Sequence, residues 1–198
     1  MLDTPDIIRP RIDALPIPAT IDAPGAADLH AAADVLTASG RHDSGTELFD
    51  VEPAEWLAAL HATQYTERQV RIARHDDRIV GVLLFEYPRD GEKTANVGAF
   101  VRPEDRGLGI EDALLEDAER LAGEHGRSVL HSWNLVRADH SGERLSAPAG
   151  VGSIPADADT TRLLQRLGYT LGQVERVSVF DFAASLPRAR DMLDAALT

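Results

Sequence analysis

Two hydrophobic periodicities divide the first half of the chain. Residues 24–37 and 53–65 carry apolar side chains three and four positions apart, a spacing that predicts two amphipathic helices. Gly40 to Gly45 is expected to break the first helix, and Pro53 suits the first turn of the second. From residue 68 the pattern changes to alternating or continuous apolar runs. These runs, at 68–76, 78–88 and 95–102, are separated by short polar turns and predict an antiparallel meander of three strands.

A strand, a helix and a second strand follow in the order that gives a parallel pair. Residues 107–124 have one apolar stripe, 127–136 read as a buried strand, and such a crossover connects parallel neighbours. A Gly/Ser/Pro-rich loop at 137–157 precedes a short helix closed by Gly168, a strand-like run at 170–182 and a terminal helix. The predicted fold class is α/β, with a mixed sheet that is antiparallel in its first half.

The turn between strand 95–102 and the helix after it is the strongest candidate for binding chemistry. Gly107 and Gly109 allow a bulky anion to approach the main chain closely. The helix that starts there adds unpaired N–H donors and the positive end of its dipole. The segment therefore predicts a phosphate-binding turn. Its two glycines do not make a dinucleotide fingerprint, and a nucleotide P-loop is excluded by the missing Gly-Lys-Ser/Thr.

Composition narrows the function classes. The net charge is −13, from 33 acidic and 20 basic residues, and we therefore expect no binding to nucleic acid or to anionic membranes. The chain has no cysteine, which excludes disulfides and a cysteine nucleophile. The start of the chain lacks the apolar core of a signal peptide and no segment has the length of a membrane span, so we expect a cytoplasmic protein. The seven histidines are dispersed, and no metal site is expected.

The motifs together resemble the GNAT superfamily of acyl-coenzyme A-dependent N-acetyltransferases, over roughly Arg68 to Phe182. That family opens a helix with Arg/Gln-x-x-Gly-x-Gly/Ala after a strand ending Val-x-Pro. The later LLQRLGY run is similar to the family's Leu-Tyr-x-x-x-Gly-Phe/Tyr segment, and the hairpin DDRIVGVLLFEY is similar to its meander. The matching residues of the first motif are Val101, Pro103, Arg106, Gly107, Leu108, Gly109 and Ile110.

The resemblance implies a GNAT fold that binds acetyl-coenzyme A where the central parallel strands splay apart. The diphosphate would meet N–H groups from Arg106 to Glu111, including those of Gly107, Leu108, Gly109 and Ile110. The pantetheine amides would pair with the main chain near Phe100 and Val101, as an added strand pairs with a sheet edge. The side chain of Arg106 is either a phosphate ligand or a cap on the turn. The implied activity is transfer of acetyl to a primary amine of a small molecule or peptide.

Three departures from the family pattern leave catalytic competence open. Glu111 stands where the family has Gly or Ala, and its carboxylate either repels a diphosphate or turns to solvent. Leu164 replaces the tyrosine that protonates the leaving thiolate in some members, and Ala95-Asn96 stands where many members place a general-base glutamate. Glu86 is the candidate base, through water. The alternative function is a catalytically degenerate GNAT domain that acts as a coenzyme-binding or scaffold module.

The predicted organisation is an extended lead-in at 1–23, a GNAT domain at 24–183 and a C-terminal helix or linker at 184–198. The Ser-Trp strand end, the long loop and the 174–182 run also resemble one half of the tandem GNAT proteins. A partner GNAT half or a homodimer is therefore the expected macromolecular partner. His131, on the strand after the coenzyme helix, is either a core histidine or a residue of the acceptor cleft.

Overall fold

The computed structural model describes residues 7–137, 141–177 and 182–196, and for residues 182–185 it describes the backbone alone. The chain forms two compact units, Met1–Asp139 and His140–Thr198. None of the helices in these described ranges combines the length and the apolar character needed to cross a membrane.

The first unit is built on one five-stranded sheet in the order β1-β2-β3-β4-β5. Neighbouring strands are antiparallel from β1 to β4, and β4 and β5 are parallel. This arrangement confirms the predicted meander and the parallel crossover. The strands are β1 (Arg11–Ala14), β2 (Thr66–His75), β3 (Arg78–Pro88), β4 (Thr94–Val101) and β5 (Val129–Ser132).

Three α-helices and a short 3-10 helix complete the first unit. The α-helices are α1 (Ala26–Ser44), α2 (Pro53–His61) and α3 (Ile110–Glu124), and the 3-10 helix is Pro103–Asp105. The helix α1 extends further than expected, because Gly40 lies inside it and the chain turns only at Gly45, with φ of 74°. Gly40 is buried, and a Cβ added to it would lie 3.6 Å from the carbonyl oxygen and 3.7 Å from the Cβ of Phe49. Packing against Phe49 therefore covers the helix at Gly40, and the helix continues through it.

The β2–β3 hairpin has a two-residue turn that sets the register of its first two residue pairs. Asp76 and Asp77 both have positive φ, at 48° and 61°, and His75 pairs directly with Arg78. Two left-handed residues in a two-residue loop match the twist of an antiparallel pair. A β-bulge between Ala73 and Arg74 then shifts the pairing by one residue, so that Ala73 pairs with Gly81 and the new register continues to Thr66 with Pro88.

The two faces of the sheet are covered by different helices. On one face the main core cluster joins α1 and α2 to apolar strand residues such as Val70, Ile72 and Val82. On the other face α3 packs closely on β3, since a Cβ at Gly81 would lie 3.0 Å from both Ile110 and Leu114. These two layers hold β4 between α1 and α3, and the polypeptide leaves β4 through the 3-10 helix at Pro103–Asp105 into the glycine turn.

The second unit contains a two-stranded antiparallel hairpin and two helices. The hairpin is β6 (Arg144–Ser146) with β7 (Ser153–Pro155), and the helices are α4 (Asp159–Arg166) and α5 (Phe182–Ala196). The hairpin lies within the segment that the sequence predicts as a loop, at 137–157. The strand predicted at 170–182 is not formed in its described part, because residues 170–177 have no regular secondary structure. Residues 178–181 lie outside the described ranges.

Candidate functional site

The parallel strands β4 and β5 diverge halfway along β4. Within the described residues their pairing runs from Thr94 with Val129 to Val97 with Ser132, where β5 ends. β4 continues to Val101, paired on its other side with β3. The last four residues of β4 therefore present a main-chain edge to the gap that opens beside β5.

The hydrogen-bond alternation of the antiparallel ladder decides which groups face that gap. Arg102 donates its N–H to the carbonyl of Val80 at 3.0 Å, so every second residue back along β4 also points its N–H toward β3. Phe100 belongs to that set. The N–H groups of Ala99 and Val101 point the opposite way, toward the gap. Of the two strand residues predicted to meet the pantetheine arm, only Val101 has its N–H on the open side.

The turn after β4 has the conformation that its glycines predict. Gly107 and Gly109 have φ of 73° and 87°, in the left-handed region that glycine adopts without strain. Gly109 is the N-cap of α3 and makes no side-chain cap hydrogen bond. Ile110, the first residue of α3, is fully buried against β3 and anchors the helix start. Backbone donors of the first turn of α3 therefore lie beside the end of the β4 edge.

The carboxylate of Glu111 lies across this turn. The N–H of Gly107 donates to Oε1 of Glu111 at 3.4 Å, a distance at the long limit for a hydrogen bond. Burial raises the pKa of Glu111, as does Asp112, while the N–H groups of Glu111 itself and Gly107 and the charge of Arg106 act to lower it. The sequence left open whether this side chain turns to solvent, and in the structure it is half-buried against the turn.

The N-terminal lead-in contacts the same turn. Ile8 donates its N–H to the carbonyl of Leu108 at 2.8 Å. A Cβ at Gly109 would lie 3.0 Å from Cγ2 of Ile7. The glycine at 109 is therefore required both by its φ and by this close approach. No sequence pattern indicates this contact, since the lead-in and the turn are about a hundred residues apart along the chain.

The Arg106 side chain points to α1. Its two terminal nitrogens pair with both carboxylate oxygens of Asp43, at 2.6 and 2.8 Å, and one of them also donates to Oγ of Ser39 at 2.8 Å. Its Nε donates to the carbonyl of Val101 at 3.3 Å. Sequence reasoning missed Asp43 and Ser39 as partners of this arginine.

A cavity of about 310 Å³ lies at the opposite end of β4. It is on the face of the sheet covered by α1 and α2, since Glu86 lies two positions from Leu84 on β3, Asn96 lies four positions from Phe100 on β4, and both Leu84 and Phe100 pack against that core. At ~3.3 Å per residue, Asn96 is about 17 Å along the strand from Val101. The wall of the cavity includes Thr66, Glu86, Glu92, Thr94, Asn96 and His131.

Glu86 is held in the cavity wall by its neighbours on adjacent strands. Arg68 donates from Nε to one carboxylate oxygen at 3.1 Å, and the Asn96 amide donates to the other at 3.4 Å. Arg68 also donates to the carbonyls of Ala59 and Ala62 at the end of α2, which ties its position to that helix. The side chain of Glu86 remains 39% exposed and so reaches the cavity. His131 is exposed beside it, which favours its interpretation as a cleft residue over a core residue.

Other candidates contribute less to this site. Among the residues that the structure describes, no three His, Asp or Glu side chains are grouped to hold a metal ion. Leu164 is half-buried on α4 of the second unit. The predicted site residues thus form two clusters in the first unit. Residues 100–111 lie at the carboxyl end of β4, and Glu86 lies beside the amino end.

A protein-family model matches the part of the chain that contains these clusters. The model of the acetyltransferase (GNAT) family matches residues 34–142, which is more than half of the chain and includes the splayed strands, the glycine turn and α3. Comparison of the sequence with curated proteins finds no match.

Solved structures share the fold at low sequence identity. A tandem GNAT protein from the clavulanic acid biosynthesis pathway is 21% identical with a TM-score of 0.57, over 80% of this chain and 43% of its own. The chain thus spans less than half the length of that relative. The protein yncA of Salmonella typhimurium, solved with its cofactor acetyl-CoA, is 19% identical with a TM-score of 0.55, over 86% and 85% of the two chains. A ribosomal-protein-alanine N-acetyltransferase of Brucella melitensis biovar Abortus 2308 is 18% identical with a TM-score of 0.51, over 86% and 98%.

Proposed function

The chain belongs to the GNAT family of acetyltransferases, and we propose that it transfers acetyl from acetyl-coenzyme A to a primary amine. The observation that carries this proposal is the edge of β4 beyond Val97. There the N–H groups of Ala99 and Val101 face the gap beside β5, and the glycine turn follows after the short 3-10 helix. An amide-containing arm can pair with this edge as an added strand while its diphosphate meets the turn.

The residues of the turn fit a diphosphate with one rearrangement. Gly107 has open space beside its main chain, Ile7 of the lead-in lies beside Gly109, and the start of α3 has no side-chain cap. Glu111 has to move from the Gly107 N–H for an anion to take its place. At 3.4 Å that contact is weak, and burial already disfavours the charged carboxylate. The displacement therefore costs little compared with a short charge-assisted hydrogen bond.

In this proposal the chain supplies position and electrostatics, and acetyl-coenzyme A supplies an activated thioester. The amine nitrogen attacks the thioester carbonyl, the carbon–sulfur bond breaks, and the thiolate leaves. We assign the stabilisation of negative charge on the carbonyl oxygen to the open-edge N–H of Ala99, which lies about 10 Å along β4 from Asn96, whereas the N–H of Val101 adjoins the diphosphate turn. The amine has to be neutral when it attacks, and Glu86 accepts its proton through water. Holding the two reactants together accounts for most of the rate.

We place the acceptor amine in the cavity beside Glu86. Its wall includes two carboxylates, Glu86 and Glu92, and hydroxyl and amide groups from Thr66, Thr94 and Asn96. Arg68 offsets one of the two acidic charges, so the wall suits a cationic amine of a small molecule or peptide.

A second function, coenzyme binding without catalysis, is favoured by the position of Glu111 and by the missing general acid at Leu164. A carboxylate that occupies the turn opposes a diphosphate. The tandem GNAT relative offers a context for such a domain, because this chain matches less than half of it. In that case the domain would act as a scaffold or coenzyme-binding half.

Calorimetric titration with acetyl-coenzyme A, followed by a thiol-release assay over a panel of amines, separates these functions. The first function requires both binding and thiol release that depends on an amine. Glu86→Gln is then expected to lower kcat by about 100-fold, in the range for loss of a general base, with acetyl-coenzyme A binding unchanged. Binding without release by any amine supports the second function. No heat at millimolar ligand contradicts both.

A further inference from the structure

We propose that Asp43 on α1 is a positioning residue for the coenzyme turn, and that it acts by holding the Arg106 side chain away from the phosphates as a brace. This inference rests on the proposed acetyl-coenzyme A binding. It assigns a role to a residue of α1, outside the glycine turn. It also chooses between the two roles, phosphate ligand and cap, that the motif leaves open for Arg106.

Asp43 and Arg106 form a bidentate ion pair. Both carboxylate oxygens accept from the two terminal nitrogens, at 2.6 and 2.8 Å, and Ser39 Oγ accepts a further bond at 2.8 Å. Parallel paired bonds of this kind fix orientation as well as distance. The two side chains are only 14% and 20% exposed, so water competes weakly for either of them.

The brace joins three elements that the proposed reaction needs in register. Arg106 belongs to the turn, its Nε donates to the carbonyl of Val101 at the end of β4, and its terminal nitrogens bind α1. The Val101 carbonyl lies on the same open side of β4 as the Val101 N–H, because residues in this ladder point both groups the same way. The guanidinium therefore fixes the end of the β4 edge relative to the glycine turn.

Geometry also argues against a direct phosphate role for this side chain. With both terminal nitrogens on Asp43 and Nε on Val101, a phosphate could recruit the guanidinium only by breaking a half-buried, two-bond ion pair. Separation of the pair leaves the half-buried carboxylate of Asp43 with only a long hydrogen bond from Ser39, at 3.4 Å, which is unfavourable. The main-chain N–H groups of the turn remain the proposed phosphate donors.

The direction in which Asp43→Asn changes the affinity for acetyl-coenzyme A distinguishes a bracing Arg106 from a phosphate-binding Arg106. Asp43→Asn removes a negative charge close to the proposed phosphate site, so electrostatics alone predicts tighter binding of acetyl-coenzyme A. The same result follows if the substitution frees Arg106 to bind phosphate. The brace predicts the opposite, a loss of affinity of about tenfold, because the turn and the end of β4 lose their common anchor.

The test is a double-mutant cycle in calorimetry with acetyl-coenzyme A, using wild type, Asp43→Asn, Arg106→Gln and the double variant. We expect both single variants to weaken binding to a similar extent and the double variant to be no weaker than either. Ser39→Ala is the milder variant if Asp43→Asn folds poorly, with an expected loss of about threefold from one hydrogen bond. Asp50→Asn is the matched control, because Asp50 forms its ion pair with the exposed Arg41 and not with Arg106. It should leave the affinity unchanged.

Unchanged or tighter binding in Asp43→Asn, or additive losses in the double variant, would overturn the brace. Absence of binding to wild type would instead contradict the proposed function. The brace is then judged by urea unfolding of the same four proteins without ligand. A coupling between the two substitutions there supports the contact as a brace, and additive effects refute it.

Discussion

At Glu111, beside the glycine turn, two electrostatic effects oppose each other. The start of α3 favours an anion, and in the structure the Glu111 carboxylate lies there, with the N–H of Gly107 donating to it. Burial makes the charged form of Glu111 unfavourable at the same time. A diphosphate that binds this turn has to replace one anion with another, and the protonation state of Glu111 then affects its affinity.

We expect acetyl-coenzyme A to bind more tightly as the pH falls from neutral into mild acid, with the gain lost in Glu111→Gln. The folded-state pKa of Glu111 is raised, and a neighbouring diphosphate raises it further, so binding takes up a proton. Calorimetric titration at each pH in buffers of different ionisation enthalpy measures that proton directly. Glu116→Gln, which alters an exposed acid on the same helix, is the control for titration of the ligand's own phosphates. Identical pH profiles in wild type and Glu111→Gln would contradict this role.

The same pKa shift has a consequence for stability. A carboxyl whose folded pKa lies above its unfolded value stabilises the fold below the unfolded pKa and loses that contribution as the pH rises through the folded pKa. Glu111→Gln should therefore be more stable than wild type at neutral pH and gain little or nothing in mild acid. Urea unfolding at the two pH values measures the difference. A neutral-pH loss of stability would mean that the charged contact with Gly107 outweighs desolvation.

Gly109→Ala is expected to destabilise the protein by about 1–2 kcal/mol, because an alanine at a φ of 87° is strained and its Cβ would approach Ile7. Urea unfolding measures this loss, and calorimetry should report weaker binding of acetyl-coenzyme A. Gly107→Ala is the matched control. It has a similar φ but open space around the added Cβ, so the difference between the two isolates the contact with the lead-in. Equal losses of stability in the two variants would show that the contact between Gly109 and the lead-in does not contribute to stability.

At the scale of elements, close packing of α3 on β3 sets where the turn stands. α3 approaches the sheet at Gly81, and its buried side chains Ile110 and Leu114 fill the space that a β-carbon would need. The same helix begins at the turn, so its depth against the sheet decides where its N–H groups lie. Packing of the helix is therefore coupled to the binding geometry.

Gly81→Ala should destabilise the first unit by about 1–3 kcal/mol, since the added methyl meets two side chains at 3.0 Å and the Phe100 carbonyl at 3.3 Å. Gly123→Ala, within α3, is the control. Nothing lies within 4 Å of the added atom there, and alanine in a helix is favoured over glycine by about 0.5–1 kcal/mol. The melting temperature and the urea midpoint should therefore both fall for Gly81→Ala and both rise for Gly123→Ala. A neutral Gly81→Ala would show that α3 can withdraw from the sheet at no cost.

Element patterns in the sequence predicted most of the first unit. The meander was readable because each strand has its own alternation and each turn its own turn residues, and the crossover followed from element order. The end of α1 was not predictable from the sequence, because a glycine inside a helix is acceptable when tertiary packing covers it, as Phe49 does at Gly40. The run at 170–177 alternates like a strand but forms none, since a strand exists only where another strand pairs with it.

For the whole molecule, net charge sets which acceptors are favoured. A charge of −13 and an acidic cavity wall attract cationic amines and repel anionic ones. If the proposed transfer occurs, KM for a cationic amine should rise with salt, and KM for a zwitterionic analogue should change little. Steady-state thiol release between about 20 and 200 mM salt measures the effect, since screening grows strongly over that range. A salt-independent KM for the cationic amine would show that long-range charge does not select the acceptor.

The sequence alone determined the kinds of element in the first unit, their order and the left-handed glycine turn, because these depend on residues close together in the chain. Only the tertiary structure decided which distant groups meet. Arg106 reaches Asp43 across 63 positions, and Glu86 is held by residues of two other strands. Such contacts depend on strand register and helix depth, which arise from packing of the whole unit. A local pattern can therefore identify a binding turn, whereas the contacts that fill and brace it come from the folded chain.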